Sequence, residues 1–360
     1  MSRMTGRERM LAALAHAPVD RLPVWMMRQA GRYLPGYQAL RRKHSFMELV
    51  GSVDLSAEIS MEPVHALDVD AAIVFHDILI PYEMMGCRVD FVDGQGPIID
   101  PPVRTMQDVE RLAPPSFDEQ LVVVRTLARL REQCADERAV IGFAGAPFTL
   151  ATYGIEGAMS KTRSHLGAML ADRREVVRAL LDRVAPVLAG YLIQQSRHAD
   201  LLQLFESHAD ILSHDDYADL ALPALRAVVR QVRAACPETP LILFGRGLHT
   251  IFDLIADLDL TAYSLDADVT FDAAALALAR AGTRPVLQGN FPPKQLLADP
   301  DEVAKRCAAF LKERAAELGA ADGATLPAGW IVNLGHGVLP QTTPAAAKAF
   351  VETVHGFRQG

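Results

Sequence analysis

The stretch PVWMMRQAGRYLPGY, residues 23–37, carries a continuous apolar run into two arginines, Arg28 and Arg32. Continuous rather than alternating hydrophobicity marks a strand buried on both faces. The arginines stand where such a strand would end, in a loop punctuated by Gly31, Pro35 and Gly36. Two permanent cations next to tryptophan and methionine are poorly placed for hydration. Guanidinium groups hold carboxylates through paired hydrogen bonds, so an anionic ligand is the reading of the pair. A solvated strand end is the alternative.

Seven more runs of this kind recur along the chain: 71–75 (AAIVF), 139–144 (AVIGFA), 201–205 (LLQLF), 241–244 (LILF), 262–265 (AYSL), 285–288 (PVLQ) and 330–334 (WIVNL). Segments with helical spacing lie between them. One opens at Asp299-Pro300 with Glu302 and carries Val303, Cys307, Phe310, Leu311 and Leu318, an N-cap with proline at the first helical position. Another opens at Thr343-Pro344 and carries Phe350, Val351 and Val354; a third, 171–198, is long and mixed in charge. Eight such βα units predict an α/β fold, a (β/α)8 TIM barrel. No Pro/Gly/Ser-rich linker divides the chain, so residues 1–360 read as a single domain. Residues 86–102, GCRVDFVDGQGPIIDPP, alternate around Asp93-Gly94 and predict a β-hairpin excursion after strand two. An open doubly wound sheet is the rival, but no G-x-G-x-x-G opens a helix.

Half of the residues are hydrophobic, enough for a sizeable core, and the net charge is −8, which weighs against a general nucleic-acid binder. The four cysteines, Cys87, Cys134, Cys236 and Cys307, are far apart, suiting a reducing compartment and no metal ribbon. No apolar run approaches the ~20 residues of a membrane span. The charged opening MSRMTGRERM has no apolar core of a secretory signal. The expectation is a cytoplasmic globular protein.

In such a barrel, chemistry sits at the C-terminal ends of the strands. Those ends supply Arg28 and Arg32, His76 and Asp77, Tyr153 after Gly145-Ala146-Pro147, then Glu206, Ser207 and His208, Arg246, Asp266, Gln288 and Asn290, and His336 between two glycines. Each has a plainer alternative. Asp77 would cap the next helix, and Tyr153 would be a core tyrosine with a satisfied hydroxyl. Ser207, His208 and Asp210 suggest a hydrolase triad, but neighbours on one turn do not meet as nucleophile and base, and no G-x-S-x-G is present. Composition and spacing stop at a barrel enzyme acting on an anionic small molecule.

The segments PVWMMRQAGRYLP, GFAGAPFTLATYGIEG, LQLFESHA, QGN and NLGHGVLPQTTP closely resemble the uroporphyrinogen decarboxylase family, in order, from residue 23 to 344. The resemblance implies a single-domain (β/α)8 barrel, a homodimer, and removal of four acetate carboxyl groups from uroporphyrinogen III to give coproporphyrinogen III. It also implies no metal and no organic cofactor. Arg28 and Arg32 match the family's signature arginines, which pair with substrate carboxylates, with Gln29, Ala30 and Gly31 between them at the substrate. Asp77 matches the aspartate facing the four central pyrrole NH groups. Tyr153, Ser207 and His336 match the other polar residues of the cleft, and Phe143, Phe205 and Ile78 its apolar wall. Arg28 and Tyr153 join Asp77 as the expected catalytic groups.

The chain departs from the family pattern at Gly36, where an acidic residue is common, at His76 for serine, at Asp210 for glycine, at Phe291-Pro292 for Leu-Asp and at Ala267 for tryptophan. One alternative within the superfamily is a corrinoid-dependent methyltransferase, which resembles this fold but carries zinc-binding cysteines after strands five and eight. Here those positions read Phe244-Gly245-Arg246 and Gly335-His336-Gly337. The other alternative is a non-catalytic tetrapyrrole-binding protein, which would need the arginines but not Asp77.

Overall fold

A computed structural model describes residues 3–92, 96–114, 117, 121–158, 160, 162–279, 284–320 and 326–357. Its strands are β1 (Ala71–Ile73), β2 (Arg88–Val92), β3 (Gly96–Asp100), β4 (Ala139–Gly145), β5 (Leu201–Glu206), β6 (Leu241–Gly245), β7 (Ala262–Ser264), β8 (Val286–Phe291) and β9 (Trp330–Leu334). All but β2 and β3 form one parallel sheet in the order β1-β4-β5-β6-β7-β8-β9. Each strand pairs with the next along the chain and helices make the crossovers, a TIM-barrel-like α/β fold.

The first apolar run differs from the other seven. Residues 23–27 form no regular strand, only a single parallel bridge from Val24 to Val332. They still bond both edges of the sheet: Trp25 N donates to Val332 O, and Asp70 N to Val24 O. The reason lies in what the run's own amides choose. Pro23 has no N–H. Val24 N donates to the Asp70 carboxylate, Met26 N to Gln29 Oε1 and Met27 N to Asn333 Oδ1. Side chains therefore take the donors that a ladder would use.

Alternate residues along each strand face two different cores. Ala139 and Ile141, Leu201, Ile242 and Phe244, and Ile331 point inward together with Trp25 and Met27. The Gly6–Leu14 helix closes the N-terminal end of this inner core with Met10, Ala13 and Leu14. Val140, Ala144, Leu202, Leu204 and Leu243 point outward, against the helices. Two buried carboxylates brace the same end. Asp70 pairs with Arg9 and Arg21, and Asp200 with Arg7 and Arg131. That end is built for stability and leaves the opposite face for chemistry.

Helix starts follow their caps. Asp299 accepts from Glu302 N ahead of the Pro300–Glu317 helix, and Thr343 from Ala346 N ahead of Pro344–Gly356. The expected 171–198 segment is instead Arg174–Ser196, because Arg173 (φ −144°, ψ 44°) breaks from the preceding Ser164–Asp172 helix. After β1, strands β2 and β3 pair antiparallel from Arg88↔Asp100 to Val92↔Gly96. The turn expected at Asp93-Gly94 lies outside the described residues. Among the described residues no helix is long and apolar enough to cross a membrane.

Candidate active site at the C-terminal mouth

The strands' inward periodicity ends on aromatic rings. Phe143, Phe205 and Phe244 are the last inward side chains of β4, β5 and β6, and they meet edge to face: Phe143–Phe205 at 5.6 Å and Phe205–Phe244 at 5.8 Å between centroids. Phe244 meets the His336 ring at 6.1 Å, also edge to face. These rings form a continuous floor spanning β4 to β9, with Phe143 and Phe205 still partly accessible from above. A flat apolar ligand would find its complement there.

Over this floor stands the loop that follows the first apolar run. Arg28 is held in the left-handed region at φ 60°, a conformation that costs energy for a non-glycine residue and collects at functional sites. Gln29 secures it. Its buried amide accepts from Met26 N and donates to Ala71 O, so the Gln29 side chain faces away from the mouth as a structural pin. Ala30 and Gly31 remain partly accessible and Arg32 is exposed. Neither Arg28 nor Arg32 has an ion pair with a described carboxylate. The Arg28 guanidinium is held below its ordinary pKa, mainly by desolvation, with repulsion from Arg32 added and Tyr153 opposing. It is accessible to solvent yet surrounded by protein, as expected of a side chain standing in a cleft.

The last loop is shaped to receive it. A β-carbon on Gly335 would come within 2.4 Å of Ala267 N, and one on Gly337 within 2.3 Å of Arg28 Cδ. Val338 N donates to Met27 O and ties the two loops together. His336, between the glycines, is neutral: burial, Arg28 and Arg246 together lower its pKa to about 4.

Asp77 follows β1. Its Oδ1 accepts from Leu79 N at 2.7 Å, so the capping alternative is met in part, as a tight turn before the Ile80–Met84 helix. Its other oxygen takes no hydrogen bond from a described residue. Desolvation raises its pKa to about 6, against the Leu79 amide. His76 accepts the Asp77 N–H on Nδ1 and is held neutral by burial, near 4. Ile78 lies over Gly145, at the end of β4.

Tyr153 sits on the Pro147–Glu156 helix, which begins directly after β4. That helix is docked by Glu206, the last residue of β5, whose buried Oε1 accepts from Thr149 Oγ1 at 2.6 Å. The Tyr153 ring faces His208 at 5.4 Å. Burial and Asp77 push its hydroxyl pKa up, while Arg28 and Arg163 pull it down; Asp77, Arg28 and Tyr153 therefore share one electrostatic neighbourhood. Ser207 is partly accessible beside them and makes no side-chain hydrogen bond with a described residue. Among the described residues no three of His, Cys, Asp and Glu stand close enough to share a metal ion.

The uroporphyrinogen decarboxylase (URO-D) family model matches residues 5–357. The chain belongs to the uroporphyrinogen decarboxylase family. It is 40% identical to the uroporphyrinogen decarboxylase of Salinibacter ruber (strain DSM 13855 / M31) over 350 residues, covering 97% of this chain and 95% of that one. To that of Roseiflexus sp. (strain RS-1) it is 39% identical, covering 97% and 98%. Among solved structures it is similar to a methyltransferase from Methanosarcina mazei, with a TM-score of 0.77 and 19% identity over 98% of this chain and 99% of that one. That likeness is one of fold.

Other strand-end residues of this uroporphyrinogen decarboxylase family member turn out to be structural. Gln288 is fully buried, bonded to Trp25 Nε1, Gln203 and Ser264. Asn290 donates to Asp266 O and Val269 O. The Asp266 carboxylate accepts from Gly247 N and Asp268 N. Gly36 is explained as well. Glu62 accepts from Gly36 N and Tyr37 N and would collide with any β-carbon at residue 36.

Sequence reasoning missed Arg163. It lies in the loop between two helices, not at a strand end, and is held at φ 48° with its amide bonded to Ser160 Oγ. Arg246 was visible at the end of β6 but had no assigned use. Burial, with both arginines adding to it, lowers the pKa of His208 to about 4.

Proposed function

We propose that this protein is a uroporphyrinogen decarboxylase, a carboxy-lyase that converts uroporphyrinogen III and its four acetate groups to coproporphyrinogen III and four CO2 in tetrapyrrole and haem synthesis. The observation that carries this reading is a pair of guanidinium groups with no carboxylate partner among the described residues, Arg28 and Arg32, sharing one mouth with Asp77 over an aromatic floor. A flat macrocycle ringed by carboxylates and carrying central N–H groups is complementary to that arrangement.

The chemistry follows from the ring. Protonation at a pyrrole α-carbon creates a cation spread onto the ring nitrogen. The bond from the acetate methylene to its carboxylate then breaks, the electron pair flows into the ring, and CO2 leaves. The exocyclic methylene takes a proton to become methyl, and the α-carbon returns its own. The pyrrole acts as the electron sink that a cofactor such as PLP supplies elsewhere, so the reading includes no organic cofactor and no metal. A fixed carboxylate facing the N–H groups stabilises the cation, and Asp77 suits that role. Arg28 and Arg32 would orient the carboxylates, with Gln29, Ala30 and Gly31 shaping their loop. Tyr153, Ser207 and His336 would complete the polar contacts, and Phe143, Phe205 and Ile78 the apolar wall. Arg28 is the first candidate for proton donor, and a water held by Tyr153 or His336 the second.

The same reading takes residues 1–360 as one domain, with the 23–27 segment as an eighth stave closing the barrel and β2–β3 as its hairpin excursion. It includes a cytoplasmic homodimer that binds no nucleic acid. The methyltransferase alternative is not favoured, since Arg246 and His336 stand where it needs thiolates.

The test is anaerobic incubation of purified protein with uroporphyrinogen III, followed by separation of the oxidised porphyrins by carboxyl number. A ladder from eight to four carboxyl groups is expected. Unchanged eight-carboxyl material would overturn the proposal.

A further inference from the structure

The arginines Arg28 and Arg32 guard one side of the mouth only. The 23–27 segment bonds to β9 on one side and, through Asp70, to the start of β1 on the other. In that order β6 lies four positions away in either direction. Side chains leaving the end of β6 therefore face the Arg28 loop across the floor. Gly245 pairs with Glu206, so Arg246 and Ser207 leave the sheet side by side. Arg163 approaches the same quarter from between the Tyr153 helix, Pro147–Glu156, and the Ser164–Asp172 helix; the Tyr153 ring is in contact with His208, and both groups feel the Arg163 charge.

Their partners differ. Arg163 has no ion pair with a described carboxylate. Arg246 pairs with Asp210, Nη2 to Oδ2 at 3.1 Å, and both side chains stay accessible at 48% and 32%. Gly247 at φ 70° brings the two loops together, since a β-carbon there would be 3.1 Å from Asp210 Cβ. Asp266 fixes the turn by accepting from Gly247 N. An accessible ion pair is weak in water, and its carboxylate is readily exchanged for another.

We propose that Arg163 and Arg246 form a second carboxylate-binding station across the mouth from Arg28 and Arg32, and that Asp210 occupies Arg246 as an internal stand-in that a substrate carboxylate displaces. This rests on the reading of the substrate as a polycarboxylate tetrapyrrole. A macrocycle held on two sides has its rotation restricted each time it re-docks. One self-neutralised arginine keeps the empty mouth from binding small anions as firmly.

The test separates this from a purely structural ion pair by the sign of its effects. Binding of uroporphyrin, the oxidised and unreactive eight-carboxyl ring, is measured by fluorescence in full-length protein, with melting temperature as the control for folding. Arg246→Gln and Arg163→Gln should each raise Kd about tenfold, as loss of a charged hydrogen bond implies. Asp210→Asn, and Asp210→Gly as a second variant, should lower Kd severalfold by releasing Arg246. If the pair only holds the loop, the Asp210 and Arg246 variants will weaken binding together, and the proposal is overturned. Unchanged Kd in the arginine variants overturns it equally. Wild-type protein that binds uroporphyrin but does not decarboxylate uroporphyrinogen refutes the assigned activity alone, and the station is still judged on Kd. Wild-type protein that does not bind uroporphyrin refutes both.

Discussion

Arg28 lies directly on Gly337: a β-carbon on that glycine would stand 2.3 Å from Arg28 Cδ, 2.6 Å from Cγ and 2.9 Å from Nε. The two loops thus set each other's position, although they lie 309 positions (337 − 28) apart along the chain. Gly337→Ala should displace the guanidinium by about the ångström that costs ~10²-fold in oriented chemistry. Turnover should fall by one to two orders of magnitude with little change in melting temperature, because Gly337 is not among the glycines at positive φ. Steady-state rates set beside thermal melts check this; full turnover in the variant would show that Arg28 tolerates the shift.

Asp77 joins function to a cost in stability. Its folded pKa, about 6, lies above its ordinary 3.8 because of desolvation. Between those values the unfolded chain has lost a proton that the folded one keeps, so this group's contribution falls as pH rises from about 4 to 6. Asp77→Asn should therefore melt higher than wild type at pH 7.5, by about 2 °C, while turnover drops roughly 10²-fold. In wild type kcat/KM should fall as pH drops through about 6. The site histidines His76, His208 and His336, held near 4, do not produce that limb. A variant that is slower yet no more stable would separate the two roles assigned to the carboxylate.

Glu206 acts at one remove, through the helix that carries Tyr153. Burial raises its pKa to about 7, against hydrogen bonds from Thr149 and Phe148. Its ionisation in the unfolded chain makes stability fall as pH rises from about 4.5 to 7. Glu206→Gln keeps the acceptor for Thr149 without the charge, so it should be more stable than wild type at pH 8, on the order of 2–3 kcal/mol, with activity largely kept. Glu206→Ala undocks the helix and should lose about tenfold in turnover. Denaturant titrations at pH 5 and pH 8, together with rates, distinguish these outcomes. Equal stability of wild type and Glu206→Gln at pH 8 would argue against a buried carboxyl whose pKa is raised to about 7.

Arg28 and Arg32 should not be replaceable by lysine, although the charge is kept. Lysine offers a point charge on a flexible stem, whereas the guanidinium holds a carboxylate by two parallel hydrogen bonds. Arg32→Lys should accumulate rings with seven, six and five carboxyl groups, because each re-docking is less faithful. Anaerobic time courses resolved by carboxyl number report this directly. Clean conversion to the four-carboxyl product by both lysine variants would reduce the pair to a solvated loop.

Much of the TIM-barrel-like fold was legible because its strands are buried on both faces. Seven of the apolar runs became strands within a few residues of their sequence limits, since burial alone demands a continuous apolar run. The helix starts at Asp299 and Thr343 were equally local, being set by a side chain and an amide three residues apart. The pair Arg28 and Arg32 stood out in the sequence because charge in an apolar context has few explanations, and Asp77 stood out through the family resemblance.

Periodicity is silent on which atom takes each hydrogen bond, and there the tertiary structure decided. The 23–27 segment reads as a strand, yet Asp70, Gln29 and Asn333 take its amides, and two of those three are over 40 residues away. Gln288, Asn290 and Asp266 read as mouth residues until their partners inside the fold were seen. Arg163 carries no sequence signal at all; its importance depends on a helix that returns it to Tyr153 and His208. Sequence by itself determined which segments must be buried and where charge would be costly, because those are properties of single residues and their neighbours in the chain. Which charges meet depends on distances between strand ends, and only the tertiary fold sets those.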